Sequence, residues 1–418
     1  MTTFIHASDI HLDSPLHGLE RYEDAPVDEI RSASRRAFVN LIDTALERDV
    51  DFVIISGDLY DGEWKDYHTG LFFIAQVGRL SNAGIRVFVV SGNHDAASRI
   101  TRYMPLPDKV LLFDTKKPQS VTLDDLRICI HGQGYGQQVV RENLAAEFPR
   151  AVAGYFNIGI LHTSLTGRPD HEPYAPCSLD DLVSRGYDYW ALGHVHEREI
   201  VSTDPYIVFP GNIQGRNIRE AGAKGITLVT LDEGGVIDLE QIMTDVLQWL
   251  RCSIDISECQ IYEQIHATVR EEIFRHLSQS GIQTLAMRLE LTGTSPYHRE
   301  MMAYPERIRE ELRAIVAAME GVWLEKIVIS TREPEVAEPT TETDEILSGL
   351  DEVIEELDLQ QQNLLDLLPE LSGLKSKIPP ELIDENSVLE VSGDSLNRIV
   401  QEARQLLQSR MRLRRTQG

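Results

Sequence analysis

Apolar residues in the first 240 positions come in short runs separated by segments of helical period. "TFIHASD" and "DFVIISGD" read as strands, the second as a buried one because it is a run of β-branched residues. Between them Phe38, Leu41, Ile42, Ala45 and Leu46 recur at helical spacing, which predicts a helix around 28–48. A further helix closed by Gly84 leads into the strand "IRVFVVSGN". "RICIHGQG", "FNIGILHTS", "YDYWALGHVH", "YIVFPGN", "GITLVTL" and "GVIDLEQI" continue the series, with helical segments between several of them. Alternation of this kind predicts a layered α/β domain over residues 1–242, two sheets packed face to face with helices outside.

The rhythm repeats on a smaller scale over 243–333. The strand "WLRCSIDIS" precedes a helix at 260–280; "LAMRLELTG", a helix at 305–320 and "WLEKIVIST" follow, predicting a compact α/β capping domain. "REPEVAEPTTETDE" is rich in Pro, Glu and Thr, so residues 334–345 read as a linker. Beyond it, 346–418 reads as a helical tail with two apolar stripes, one through Ile346, Leu350, Val353, Leu357 and Leu364, the other through Leu396, Ile399, Val400 and Ala403. Such stripes dock either on the same protein or on another chain, typically a coiled coil.

A chain of 418 residues favours two or three domains, and 42% apolar content can fill their cores. No apolar run approaches the roughly 18–20 residues that span a bilayer. "MTTFIHASD" lacks the basic start and apolar stretch of a secretory signal. Cys129, Cys177, Cys252 and Cys259 form no CxxC pair, as expected of thiols in a reducing, cytoplasmic setting. The net charge of −27 weighs against a nucleic-acid substrate, since phosphate backbones are held mainly by Lys and Arg. About ten of those charges lie after residue 335, and carboxylates that bind metals lose their charge in doing so.

Candidate chemistry sits at the carboxyl ends of the strands. In a strand, residues i and i+2 point to one face, so Asp9 with His11, and His194 with His196, can each act as two teeth of a clamp. Other strand ends deliver Asp58 after Gly57, Asn93, His94 and Asp95 in "SGNHD", and His162 in "GILHTS". In α/β sheets ligands bind where such ends meet. Asp9, His11, Asp58, Asn93, His162, His194 and His196 thus form a set of oxygen and nitrogen donors without thiolate, suited to Mn²⁺, Fe²⁺, Zn²⁺ or Mg²⁺. Seven donors are too many for one ion and suit two ions that share Asp58.

Taken in order, DxH, GD, GNHD, a lone His and GHxH resemble the signature of the calcineurin-like metallophosphoesterases over roughly residues 3–240. Order of motifs, two-domain core and tail resemble the Mre11/SbcD nucleases within that superfamily, and "PGNIQGRNIREAGAKG" resembles the YhaO subgroup. The resemblance implies a four-layer metallophosphoesterase sandwich and the same seven residues as metal ligands, two divalent ions with Mn²⁺ first among the candidates, and a DNA exonuclease or endonuclease acting in repair. It implies a coiled-coil SMC-like ATPase partner of the Rad50/SbcC/YhaN type and leaves room for a homodimer. Where archaeal and eukaryotic relatives have a second His, this chain has Asp61. His94, one residue past a ligand, is assigned as general acid with Asp95 orienting it. A small phosphodiester or a phosphoprotein remains the alternative substrate, favoured by the acidic charge. His6 and His131 read as core or edge residues; His17 and Tyr135 are candidates to face substrate, and Arg216 and Arg219 are either phosphate contacts or part of a solvated loop.

Overall fold

In the computed structural model the described residues are 1–14, 25–61, 67–97, 105–165, 174–280 and 284–334. His17, most of the linker and the helical tail therefore lie outside the described residues.

The first stretch of chain runs β1 (Thr2–Ala7), α1 (Val27–Glu47), β2 (Phe52–Ser56), α2 (Tyr67–Ala83), β3 (Arg86–Val90) and β4 (Val110–Leu112). It continues β5 (Gln119–Leu123), β6 (Ile128–Gln133), β7 (Phe156–His162), α3 (Leu179–Val183), β8 (Tyr189–Gly193), β9 (Glu199–Thr203), β10 (Tyr206–Phe209), β11 (Gly225–Asp232) and β12 (Gly235–Met243). Two six-stranded mixed sheets result, ordered β12-β11-β1-β2-β3-β4 and β5-β6-β7-β8-β10-β9. Strands β1 to β4 are mutually parallel, as are β6, β7, β8 and β10, so both parallel sets can present carboxyl ends to a site.

Period-two alternation decides which face each residue takes. Ile5, Ala7, Val53, Ile55, Val87 and Val89 turn toward Ala37, Phe38 and Leu41 of α1 and Phe73, Val77 and Leu80 of α2. Phe4, Phe52, Ile54, Phe88 and Val90 turn the other way, against Ile130, Ile158, Ile160, Tyr189 and Val208 of the second sheet. Sheets buried on both faces need near-continuous apolar strands, and β2 is buried at all five positions. The outer face of the second sheet, through Leu161, Trp190, Leu192 and Phe209, is covered by Leu182 of α3 and by Ala145 and Phe148. These layers form the four-layer α/β sandwich that the resemblance implies.

Helical connections between the strands of the second sheet are fewer than the sequence rhythm predicts. Among the described residues a single 3-10 turn at Leu144–Glu147 links β6 to β7, and its Ala145 joins Phe148 in covering the sheet. β8 is followed by the edge strand β9.

A second compact unit takes up the chain from Arg251, within β13 (Leu247–Asp255). Its elements are α4 (Tyr262–Ser280), β14 (Thr284–Thr292), α5 (His298–Ala303), α6 (Pro305–Ala317) and β15 (Val322–Ile329), with the three strands ordered β13-β14-β15. Ile308, Leu312 and Val316 form the buried stripe of α6. All four cysteines are free and buried. No helix among the described residues is long and apolar enough to cross a membrane.

Candidate metal centre

Asp9 and His11 follow β1, Asp58 follows β2, Asn93 follows β3, His162 ends β7, and His194 and His196 follow β8. Four of these adopt a left-handed backbone: φ is 50° at Asp9, 46° at His11, 51° at Asp58 and 101° at His194. That region costs a non-glycine residue roughly 1–2 kcal/mol, and such cost collects where geometry serves function. The neighbouring glycines let the loops approach. A Cβ at Gly57 or Gly193 would overlap the His162 ring, and one at Gly92 would overlap the Asp58 carboxylate.

Six of the seven predicted donors gather into two clusters, and His11 forms a further group with Asp61 and His94. One cluster holds Asp9, His11 and His196; the other holds Asp58, His162 and His194. In the first, His11 Nε2 and His196 Nε2 stand 3.3 Å apart, with Asp9 Oδ1 3.5 Å from His196 Nε2. Asp9 Oδ2 accepts from Ser8 Oγ at 2.6 Å and from the His194 amide at 3.0 Å, which turns Oδ1 toward the imidazoles. That Oδ1 is buried and accepts no hydrogen bond among the described residues. In the second cluster His162 donates from Nδ1 to the Ser56 carbonyl at 2.9 Å, aiming Nε2 at Asn93 Oδ1, 3.0 Å away.

Asp58 joins the two. Its Oδ1 accepts from the His94 amide at 3.0 Å, while Oδ2 lies 3.3 Å from His162 Nε2 and 3.9 Å from His11 Nε2. Burial favours the neutral carboxyls of Asp9 and Asp58, yet the surrounding imidazoles hold both far below the usual range. Burial lowers His11 to about 4 and His194 to about 3, leaving neutral rings fit for ligation. Burial also pulls on His162 and His196, but adjacent carboxylates outweigh it and raise each to about 9. A divalent cation binding there displaces those protons. An orphaned carboxylate oxygen, closely opposed acceptor nitrogens and a carboxylate facing both clusters fit two cations.

The environment of His94 departs from the sequence reading at one residue. Asp95, expected to orient the His94 imidazole, is buried and accepts backbone N–H groups of Leu59 at 3.1 Å, Tyr60 at 2.8 Å and Gly92 at 2.9 Å. Its short side chain is spent tying the loop after β2 to the loop after β3. The carboxylate on His94 is Asp61, whose Oδ1 lies 2.8 Å from Nδ1. Burial lowers the His94 pKa, but Asp61 and Asp58 outweigh it and the net shift is upward.

Other residues take the places their surroundings dictate. His6 is buried between Tyr189, Ser56 and the Leu192 carbonyl, and His131 between Ser120 and Asn157. Tyr135 is buried with its ring edge-on to His162, 5.6 Å between centroids. Arg216 is not in a solvated loop: it is half-buried among Glu220, Asp61 and His196, whereas Arg219 is exposed. Glu220, absent from the sequence candidates, accepts from His196 Nδ1 at 2.8 Å. Its only sequence signal was the Arg216/Glu220 spacing of four, which reads equally as a surface pair.

Residues 2–198 match the family described as "Calcineurin-like phosphoesterase", and residues 249–332 match "Metallophosphoesterase YhaO, middle domain". The chain is 36% identical over 298 residues to the "Uncharacterized metallophosphoesterase YhaO" of Bacillus subtilis, covering 70% of this chain and 72% of that relative. It is 24% identical to the "DNA double-strand break repair protein Mre11" of Methanopyrus kandleri, covering 71% of this chain and 67% of that protein. The protein of the same name from Sulfurisphaera tokodaii is 28% identical, covering 59% and 63% respectively. With a metal-binding geometry of this kind beneath those matches, the chain belongs to the YhaO family of calcineurin-like metallophosphoesterases.

Proposed function

We propose that this metal-dependent phosphoester hydrolase is a phosphodiesterase that cleaves DNA, with Mn²⁺ as its working metal. The observation that carries the reading is the pairing of two donor clusters through Asp58 Oδ2, with a carboxylate-held imidazole beside them. Asp9, His11 and His196 would hold one cation, Asp58, Asn93, His162 and His194 the other, with Asp58 shared. Two such cations, when bound, polarise the phosphoryl group and supply a nucleophile from water near neutral pH.

The protein's own residues do the rest. An alkoxide is a poor leaving group and needs a proton as its bond to phosphorus breaks. His94 is held at Nδ1 by Asp61, so Nε2 is the end that can deliver one. The side chain is 39% exposed, which lets a substrate reach it. Asp95 keeps the Asp58 and Asn93 loops in register.

Two relatives named as DNA break-repair proteins support DNA as the substrate. A coiled-coil ATPase partner of the Rad50/SbcC type, met by residues 346–418, belongs to the same proposal. The charge of −27 favours the second reading, a small phosphodiester. Incubating the purified protein and Mn²⁺ with labelled single- and double-stranded DNA, beside a nitrophenyl diester, separates the two. DNA cleavage that stops in excess chelator is expected. Turnover of the small diester with intact DNA would reject the nuclease reading.

A further inference from the structure

Arg216 and Glu220 sit on the segment after β10, at i and i+4. Glu220 is saturated: Oε2 accepts from the Arg216 amide at 2.8 Å and from Asn212 Nδ2 at 2.8 Å, while Oε1 accepts from Arg216 Nη2 at 2.8 Å. His196 Nδ1 lies 2.8 Å from the same Oε1. Arg216 Nη2 is also 3.2 Å from that nitrogen, but a guanidinium can only donate and a carboxylate can only accept. The Nδ1 proton therefore goes to Glu220, and Nε2 is left to face Asp9 and His11.

The same guanidinium reaches the other side of the centre. Arg216 Nη1 lies 3.4 Å from Asp61 Oδ2, which also accepts from Ser14 Oγ at 2.5 Å, and Asp61 Oδ1 holds His94 Nδ1. Asp61 Oδ1 is also 3.8 Å from His11 Nδ1, a buried nitrogen with no hydrogen bond among the described residues. Side-chain exposure is 19% at Arg216, 16% at Asp61 and 10% at Glu220, so solvent does little to compensate either carboxylate. One planar cation with several fixed donors can satisfy two carboxylates at once, where an ammonium acts as a single point.

We infer that Arg216 is a positioning residue that sets two histidines together, His196 as a metal ligand through Glu220 and His94 as proton donor through Asp61. The bracket rests on the phosphodiesterase reading for its His94 arm, and on metal binding alone for its His196 arm. Removing the carboxylate behind a ligating histidine typically costs roughly 10–100-fold in metal affinity.

The test uses the full chain with Arg216→Lys, which keeps the charge and loses the fork of donors, and Glu220→Gln, which keeps the shape and loses the charge, the fold of each being checked by melting temperature. Two quantities are read: Mn²⁺ affinity by calorimetry, and the ratio of turnover on DNA to turnover on a nitrophenyl diester. Glu220→Gln is expected to weaken one Mn²⁺ roughly 10–100-fold and leave the ratio within twofold. Arg216→Lys is expected to weaken that Mn²⁺ and also lower the ratio at least tenfold. Wild-type affinity and ratio in Arg216→Lys, even with a lowered melting temperature, would overturn the inference. So would a change in only one of the two, because the guanidinium would then serve one histidine. Failure of the phosphodiesterase reading shows separately, as a wild type that turns over neither substrate, and wild-type Mn²⁺ affinity in Glu220→Gln then overturns the His196 arm by itself.

Discussion

Asn93 and His94 are neighbours in the chain with divergent surroundings. The Asn93 amide oxygen stands 3.0 Å from His162, and the His94 ring stands 2.8 Å from Asp61. Replacing His94 should therefore spare the metals and remove the proton. His94→Ala is expected to bind two Mn²⁺ and to lose roughly 10²–10⁴-fold in DNA cleavage, the usual contribution of a general acid. A nitrophenolate leaves without protonation, so turnover of its diester should fall far less. Equal losses on both substrates would reject the acid role.

At the scale of elements, the glycines before Asp58, Asn93 and His194 are a packing requirement. A Cβ at Gly193 would strike the Ser56 carbonyl and the His162 ring, whereas one at Gly78 in α2 meets nothing within 4 Å. Gly193→Ala should cost about 1–3 kcal/mol and lower metal content. Gly78→Ala should gain about 0.5–1 kcal/mol and leave metal content alone. Urea denaturation with metal analysis checks both, and a harmless Gly193→Ala would contradict the packing account. The turn between β12 and β13 supplies a pH signature. Burial raises Asp245 to about 6, above its unfolded range, so its contribution is fully present only below about pH 3.9 and is lost as pH rises through 6. Asp245→Asn should lack that loss, so its stability relative to wild type should improve between pH 4 and pH 7. Parallel pH profiles would contradict it.

The strands that carry ligands were legible because each is an apolar run ending in Gly or a metal-type donor, as in "FVIISGD". The strands β4, β5 and β9 were not: β4 has three residues, and β5 and β9 are partly exposed edge strands with little apolar contrast. Of the two i, i+2 pairs, Asp9 and His11 stay together in one cluster, whereas His194 and His196 divide between the two; what the pattern missed was cross-chain. Asp61 and Asp95 each follow a glycine-led motif, and only the fold decides that Asp95 turns to backbone amides and Asp61 to His94. Glu220 reaches His196 across 24 residues, a distance no local pattern encodes.

At the scale of the molecule, an acidic chain concentrates its positive charge need at one place. Seven donors, two of them carboxylates, converge where the carboxyl ends of both parallel strand sets meet, and cations there give a phosphate its reason to approach. On the proposed nuclease reading, charge elsewhere opposes long contact with DNA, so cleavage would call for a short footprint or a partner that supplies basic surface. The central claim is that the two clusters work as one centre through Asp58. Its most direct test is the rate of Mn²⁺-dependent hydrolysis of a nitrophenyl diester by wild type and by Asp58→Asn. A wild-type rate that saturates with Mn²⁺ and vanishes in excess chelator, with Asp58→Asn at background, is the expected result; chelator-resistant turnover, or an Asp58→Asn variant as fast as wild type, would contradict it.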